Sequence, residues 1–361
     1  MTQGKLDTVQ YLRGIAALSV VVAHCLIYVA VLDGRGDLEG PARSVVDGAF
    51  GVFVFFIISG FIMVHVSGVF GSVSVAGQFL ARRFLRIAPL YWVCTLLMLG
   101  LMVIDDGAGV VDLGKLAMSF AFIPYDFADD RFRPVLMVGW TLNYEMFFYA
   151  LFALALMMRK RFAIIALVLA FVGLVAFGGL FPPQSSVLAA WTRPIILLFL
   201  SGALIGFAWA RWRAVWPSLS PAVGLGAIAA IVVAQLVAYN LGVGAGASDL
   251  TWRPFDWTAA IALVLIGLST RPLERSSPVS KSFLALGDSS YSLYLSHPLT
   301  IAVLAGIWNR LPFALPTWVF AVVAVPACIV GGWVVYQLVE QPLARWVQMP
   351  KPRQLQQVSA R

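Results

Sequence analysis

Apolar and polar positions alternate along this chain in long blocks rather than with the period of a strand. Continuous apolar runs of about 20 residues, the length a membrane helix needs, are separated by short polar or Pro/Gly-rich breaks such as Phe181-Pro182-Pro183 and the 242–247 segment. The pattern predicts about ten helical spans: Val9–Leu32, Val45–Val66, Ile87–Ile104, Val135–Met158, Phe162–Phe181, Ala189–Trp209, Ala222–Leu241, Phe255–Leu268, Ser290–Trp308 and Ala314–Leu338. The Val110–Phe127 stretch, interrupted at Pro124, is read as a short outer helix or a re-entrant piece. The expected fold is an all-α, polytopic membrane bundle. It comprises a single transmembrane domain over residues 1–345 and a short cytoplasmic tail over 346–361.

Composition agrees. Of 361 residues, 61% are hydrophobic and only 12% charged, against roughly 45–50% and about 25% for a soluble domain. The balance argues against a secreted domain, a nucleic-acid-binding protein and a disordered chain. An outer-membrane barrel would alternate apolar and polar residues. Cys25, Cys94 and Cys328 are single and far apart, so no disulfide framework or metal site is expected.

Charge sets an expected orientation. With both termini in the cytoplasm, inner segments hold roughly twice as many Lys and Arg as outer ones, as the positive-inside rule requires. Arg82, Arg83, Arg86, Arg159, Lys160 and Arg161 fall inside; Asp105, Asp106, Asp126, Asp129 and Asp130 fall outside. This bias accounts for most of the net charge of +8 without a polyanionic partner.

Ionisable residues at membrane depth are costly and mark functional sites by default. Here they are Arg13, His24, Glu145 and His297, with His65 near an inner end. Arg13 and His24 are eleven residues apart, about three helical turns, so they share a face roughly 16 Å apart along the axis. That suits a long substrate with an anionic head and a reactive tail; the plainer reading is an arginine that snorkels and a histidine tied to the backbone. Thr141, Glu145 and Tyr149 share one face of the fourth span. Glu145 and His24 lie at similar depth, which predicts a His–carboxylate dyad if their helices are neighbours; the alternative is a structural tether. Arg83 and Arg86, at i and i+3, form a basic face fit for phosphate or for plain interfacial anchoring. Ser59-Gly60 permits close helix approach. His297, beside Pro298, reads first as a structural tie.

In order, these segments resemble the acyltransferase 3 family of bacterial membrane proteins. The resemblance rests on Arg13 with His24, Phe55–Phe61, Arg83–Tyr91, Trp140–Tyr149, Gly287–His297 and Glu340-Gln341-Pro342. Gln10–Ala16 is similar to the exopolysaccharide-modifying branch, although Gln10 stands where many relatives have Asp. The resemblance implies transfer of an acyl group, commonly acetyl, from cytoplasmic acyl-CoA to a carbohydrate hydroxyl in the bacterial inner membrane. It implies His24 as the catalytic residue, and Arg13, Arg83 and Arg86 as the acyl-CoA handlers. Acetyl-CoA would be a donor substrate rather than a resident cofactor. Expected partners are the carbohydrate acceptor, the bilayer and polysaccharide-biosynthesis proteins, with no nucleic acid. Glu145 is expected to orient His24, with Asn143, Tyr149, Ser59 and His297 as candidate substrate or oxyanion contacts. Direct general-base transfer and an acyl-histidine intermediate both remain open. The same buried groups would also serve a transporter or flippase of a lipid-linked glycan, against which no repeated halves with broken helices are seen.

Overall fold

A computed structural model of the chain describes residues 6–33, 49–125, 127–128, 131–132, 134–240, 253–313 and 315–346. The expected 346–361 tail, apart from Trp346, and the outer segment carrying Arg35 and Arg43 lie outside them, as do Asp126, Asp129 and Asp130. The described elements are α1 (Asp7–Leu32), α2 (Ala49–Val66), α3 (Val73–Asp106), α4 (Leu113–Phe120), α5 (Trp140–Leu156), α6 (Lys160–Leu180), α7 (Ser186–Trp191), α8 (Leu197–Trp212), α9 (Pro221–Asn240), α10 (Pro254–Ser269), α11 (Pro278–Asp288), α12 (Ser290–Trp308), α13 (Trp318–Val335) and α14 (Gln341–Trp346). A two-residue antiparallel pairing of Phe127–Ala128 with Arg131–Phe132 and an isolated parallel bridge between Leu219 and Thr270 are the β-structure among the described residues.

Each of the ten predicted segments coincides with a helix. Six helices among the described residues are long and apolar enough to cross a membrane, rather than all ten. Polar side chains explain part of the difference: α5 carries Thr141, Asn143 and Glu145, and α12 opens on Ser290, Tyr291 and Ser292.

Three boundaries differ from expectation, and a fourth stretch agrees with it. α3 begins at Val73, capped by the Ser72 hydroxyl accepting from Val75 N, and runs 34 residues through Pro89. The arginine cluster therefore lies within a helix, not before one. The Val110–Phe127 stretch holds a short helix, as read from the sequence: eight-residue α4, capped by Asp112 accepting from Lys115 N. The sixth segment is divided at Pro194 into α7, a 3-10 turn and α8, because proline cannot donate the helical hydrogen bond. Helix α11, capped by Ser277 and opened by Pro278, was not anticipated. At eleven residues it is too short to register as a span, and its signal is the Ser-Pro start.

Apolar side chains gain little from burial against each other in lipid, so close backbone approach carries more of the packing. α2 and α8 show it best. A Cβ on Gly60 would stand 2.1 Å from Phe199 O, and one on Gly202 would stand 1.9 Å from Ile57 O. The Ser59-Gly60 expectation of close approach is met there. Phe199 then stacks on Phe56 at 4.2 Å and on Phe148 at 4.7 Å, locking α8 to α2 and α5. Gly202→Val should abolish monodisperse folded protein in detergent or lower its melting temperature sharply, since overpacking costs about 1–3 kcal/mol even where neighbours can move. Gly173→Ala, where no atom lies within 4 Å, serves as a neutral control in the same melting experiment.

α11 docks on the N-terminal end of α1. Arg275 donates to Asp7 through Nε at 2.6 Å and Nη2 at 2.7 Å, and Tyr11 bonds Ser280 at 2.7 Å. Gly287 lies against Gln10, where a Cβ would come 2.1 Å from the Gln10 carbonyl. This contact fixes α12, which follows α11 directly, against α1.

Candidate active site

Arg13 from α1, Ser59 from α2, Arg83 and Arg86 from α3, Glu145 and Tyr149 from α5, and Tyr291 and Tyr294 from α12 converge on one cavity of about 110 Å³. The i, i+3 spacing puts Arg83 and Arg86 on the same wall. The i, i+4, i+8 face of α5 supplies Thr141, Glu145 and Tyr149. Glu145 accepts from Ser59 Oγ at 3.0 Å and from the Tyr149 hydroxyl. Its charge lies close to Arg13 and Arg83, so three guanidinium groups face one carboxylate in the cavity wall. Tyr291 donates to Ile87 O at 2.7 Å, tying α12 to α3 beside Arg86. Ser292 donates to Glu340, which the π-helical turn Tyr336–Glu340 turns inward, and Glu340 is a further charge neighbour of Arg13. Such a cavity favours an anion with several oxygens, because guanidinium groups bind phosphate by paired, charge-assisted hydrogen bonds.

The histidines form a second, adjoining group outside the cavity lining. His24 Nδ1 lies 2.8 Å from His297 Nε2, with the rings 14° from parallel. His297 Nδ1 lies 3.1 Å from the Leu293 carbonyl. A carbonyl only accepts, so His297 Nδ1 carries the proton and its Nε2 is the acceptor. His24 Nδ1 must then donate, which leaves the lone pair of neutral His24 on Nε2. The pair therefore fixes the tautomer of a base. Protonating His24 keeps its Nδ1–H donation intact, so the contact holds in both states.

This arrangement corrects the expected His24–Glu145 dyad. α1 packs against α2, α11, α12 and α13, whereas α5 packs against α2, α3 and α6. Equal depth did not make α1 and α5 partners, and Glu145 accepts from both Ser59 and Tyr149 on Oε1. His297, read as a structural tie, is the partner of His24 instead. Asn143 is buried with its carboxamide oxygen accepting no hydrogen bond, and it does not line the cavity. Sequence reasoning took Tyr291, Tyr294 and Glu340 into the segments of the resemblance but gave none of them a place in the site. The first two could have been found from Tyr291, Tyr294 and His297, whose spacing of three residues makes one helical face. Cys25, Cys94 and Cys328 are free and buried.

The sequence was compared with known proteins. The sequence profile of the acyltransferase 3 family, described as an acyltransferase domain, matches residues 6–337. The exopolysaccharide production protein ExoZ of Rhizobium meliloti (strain 1021) is 35% identical over 307 residues, covering 82% of this chain and 90% of that protein. No solved structure matches. The profile match takes in both the arginine-lined cavity and the histidine pair, and the chain belongs to the acyltransferase 3 family.

Proposed function

We propose that this multi-pass membrane protein is an O-acyltransferase of the inner membrane. It moves an acyl group, acetyl in our reading, from cytoplasmic acyl-CoA to a hydroxyl of an exported carbohydrate. The similarity to ExoZ supports an exopolysaccharide as the acceptor. The observation that carries the reading is the pairing of an arginine-lined cavity with a tautomer-fixed histidine next to it.

Arg13, Arg83 and Arg86 hold the CoA phosphates. The thioester points outward along α1, since Arg13 and His24 are separated by roughly 16 Å on one helix face. His24 Nε2 takes the proton from the sugar hydroxyl as that oxygen attacks the thioester carbonyl. The carbon–sulfur bond breaks, and the departing thiolate takes the proton back from the imidazolium. His297 holds the ring in the tautomer this needs, the part the buried carboxylate has in the serine-protease triad. A route through an acylated His24 uses the same geometry.

Orientation is part of the proposal: both termini face the cytoplasm. An impermeant thiol reagent on intact cells should label Asp106→Cys and spare Lys160→Cys; the reverse pattern overturns it. In cells, deleting the gene should remove ester-linked acyl groups from the exported polysaccharide while polymer still reaches the surface. Loss of export with acyl content retained would instead favour a transporter.

A further inference from the structure

The cavity and the histidines are neighbours, yet they are not one open space. Two rings stand where they meet. Phe55 and Tyr294 both line the cavity, in edge contact at 5.8 Å and 67°. Tyr294 lies in turn 6.0 Å from the His297 ring, one turn further along α12. Phe55 also packs against the apolar cluster of Ala17, Val21, Cys25 and Leu293 that surrounds the histidine end of α1. The two rings thus face the arginines on one side and the imidazoles on the other.

They are not held alike. The Tyr294 hydroxyl bonds Thr141 Oγ1 at 2.8 Å and Val138 O at 3.2 Å, so its ring is pinned to the start of α5. Phe55 has only apolar contacts to hold it. Its size, therefore, sets how much room is left beside the fixed tyrosine. The cavity beside the two rings measures about 110 Å³.

Resting on the acyl-CoA reading above, we infer that Phe55 and Tyr294 together form the wall that selects the length of the acyl group reaching His24, with Phe55 as its adjustable side. The class of donor so selected is a short-chain acyl thioester. Removing the Phe55 ring opens the cavity towards the apolar cluster on α1 and α12, which suits extra methylenes.

The test compares acetyl-CoA and hexanoyl-CoA as donors for the purified protein, as a ratio of kcat/KM values. Binding of CoA itself reports folding. Wild type should favour acetyl. Phe55→Ala should shift the ratio towards hexanoyl by roughly tenfold or more, since even one methylene in an apolar pocket is worth at least that much discrimination. Phe55→Leu should shift it in the same direction by less, and serves if the alanine variant does not fold. Tyr294→Phe keeps the ring and should move the ratio less than Phe55→Ala. An unchanged ratio in folded, CoA-binding Phe55 variants overturns the inference while leaving the acyltransferase reading intact. Absence of turnover with either donor in wild type removes both.

Discussion

His24→Ala should lower acyl transfer by about two to four orders of magnitude, the usual contribution of a general base, while CoA affinity changes little. The two effects separate because Arg13, Arg83 and Arg86, the proposed phosphate holders, line the cavity, whereas His24 lies outside its lining. Replacing His297 with Phe removes the acceptor that fixes the His24 tautomer. Turnover should fall by roughly tenfold or more, since a wrongly held imidazole is a poor base. The two residues act as one unit, so the double variant should be little worse than His24→Ala alone. Acyl transfer from labelled acetyl-CoA by the three variants, with CoA binding measured on the same preparations, checks this. An additive double variant would mean that His297 contributes by some route other than His24.

Arg83→Ala should weaken CoA binding by about ten- to a hundredfold, the equivalent of one charge-assisted hydrogen bond of roughly 1.5–3 kcal/mol. Arg83 is the better test than Arg86, because Arg86 is exposed whereas Arg83 lies half-buried between Phe79 and the cavity. Lysine at the position should restore part of the affinity only, since it keeps the charge and loses the planar fork. Glu145→Gln offers the opposite sign. Removing the one carboxylate of the cavity lining leaves its arginines more positive, so CoA should bind more tightly and turnover should not collapse. Calorimetry with CoA checks both variants. If Glu145 instead oriented His24, its loss would abolish turnover and leave affinity unchanged.

Much of this was legible in the sequence because helical periodicity is a local property. Thr141, Glu145 and Tyr149 were placed on one face, and they line one cavity. Arg83 and Arg86 were placed on one basic face, and both reach it. Ser59-Gly60 signalled close approach, and Gly60 lies against α8. What could not be read is which helices are neighbours. Arg13 and His24 lie on one helix, α1, and Glu145 was given a matching depth. Depth is one coordinate of three, and α12 rather than α5 stands beside His24. The deciding contact is Gly287 against Gln10, a backbone approach that carries no hydropathy signal. The π turn that brings Glu340 to Ser292 is equally silent in the pattern of apolar residues.

The central claim is that acyl-CoA is consumed as carbohydrate is modified. Its most direct measurement follows both products together: purified wild-type protein is given acetyl-CoA and the native polysaccharide, free CoA thiol is titrated, and ester-bound acetyl on the polymer is quantified. The account predicts that thiol and ester rise together, one for one, when polymer is present. Polymer that is bound by the folded protein while acetyl-CoA stays intact would contradict it.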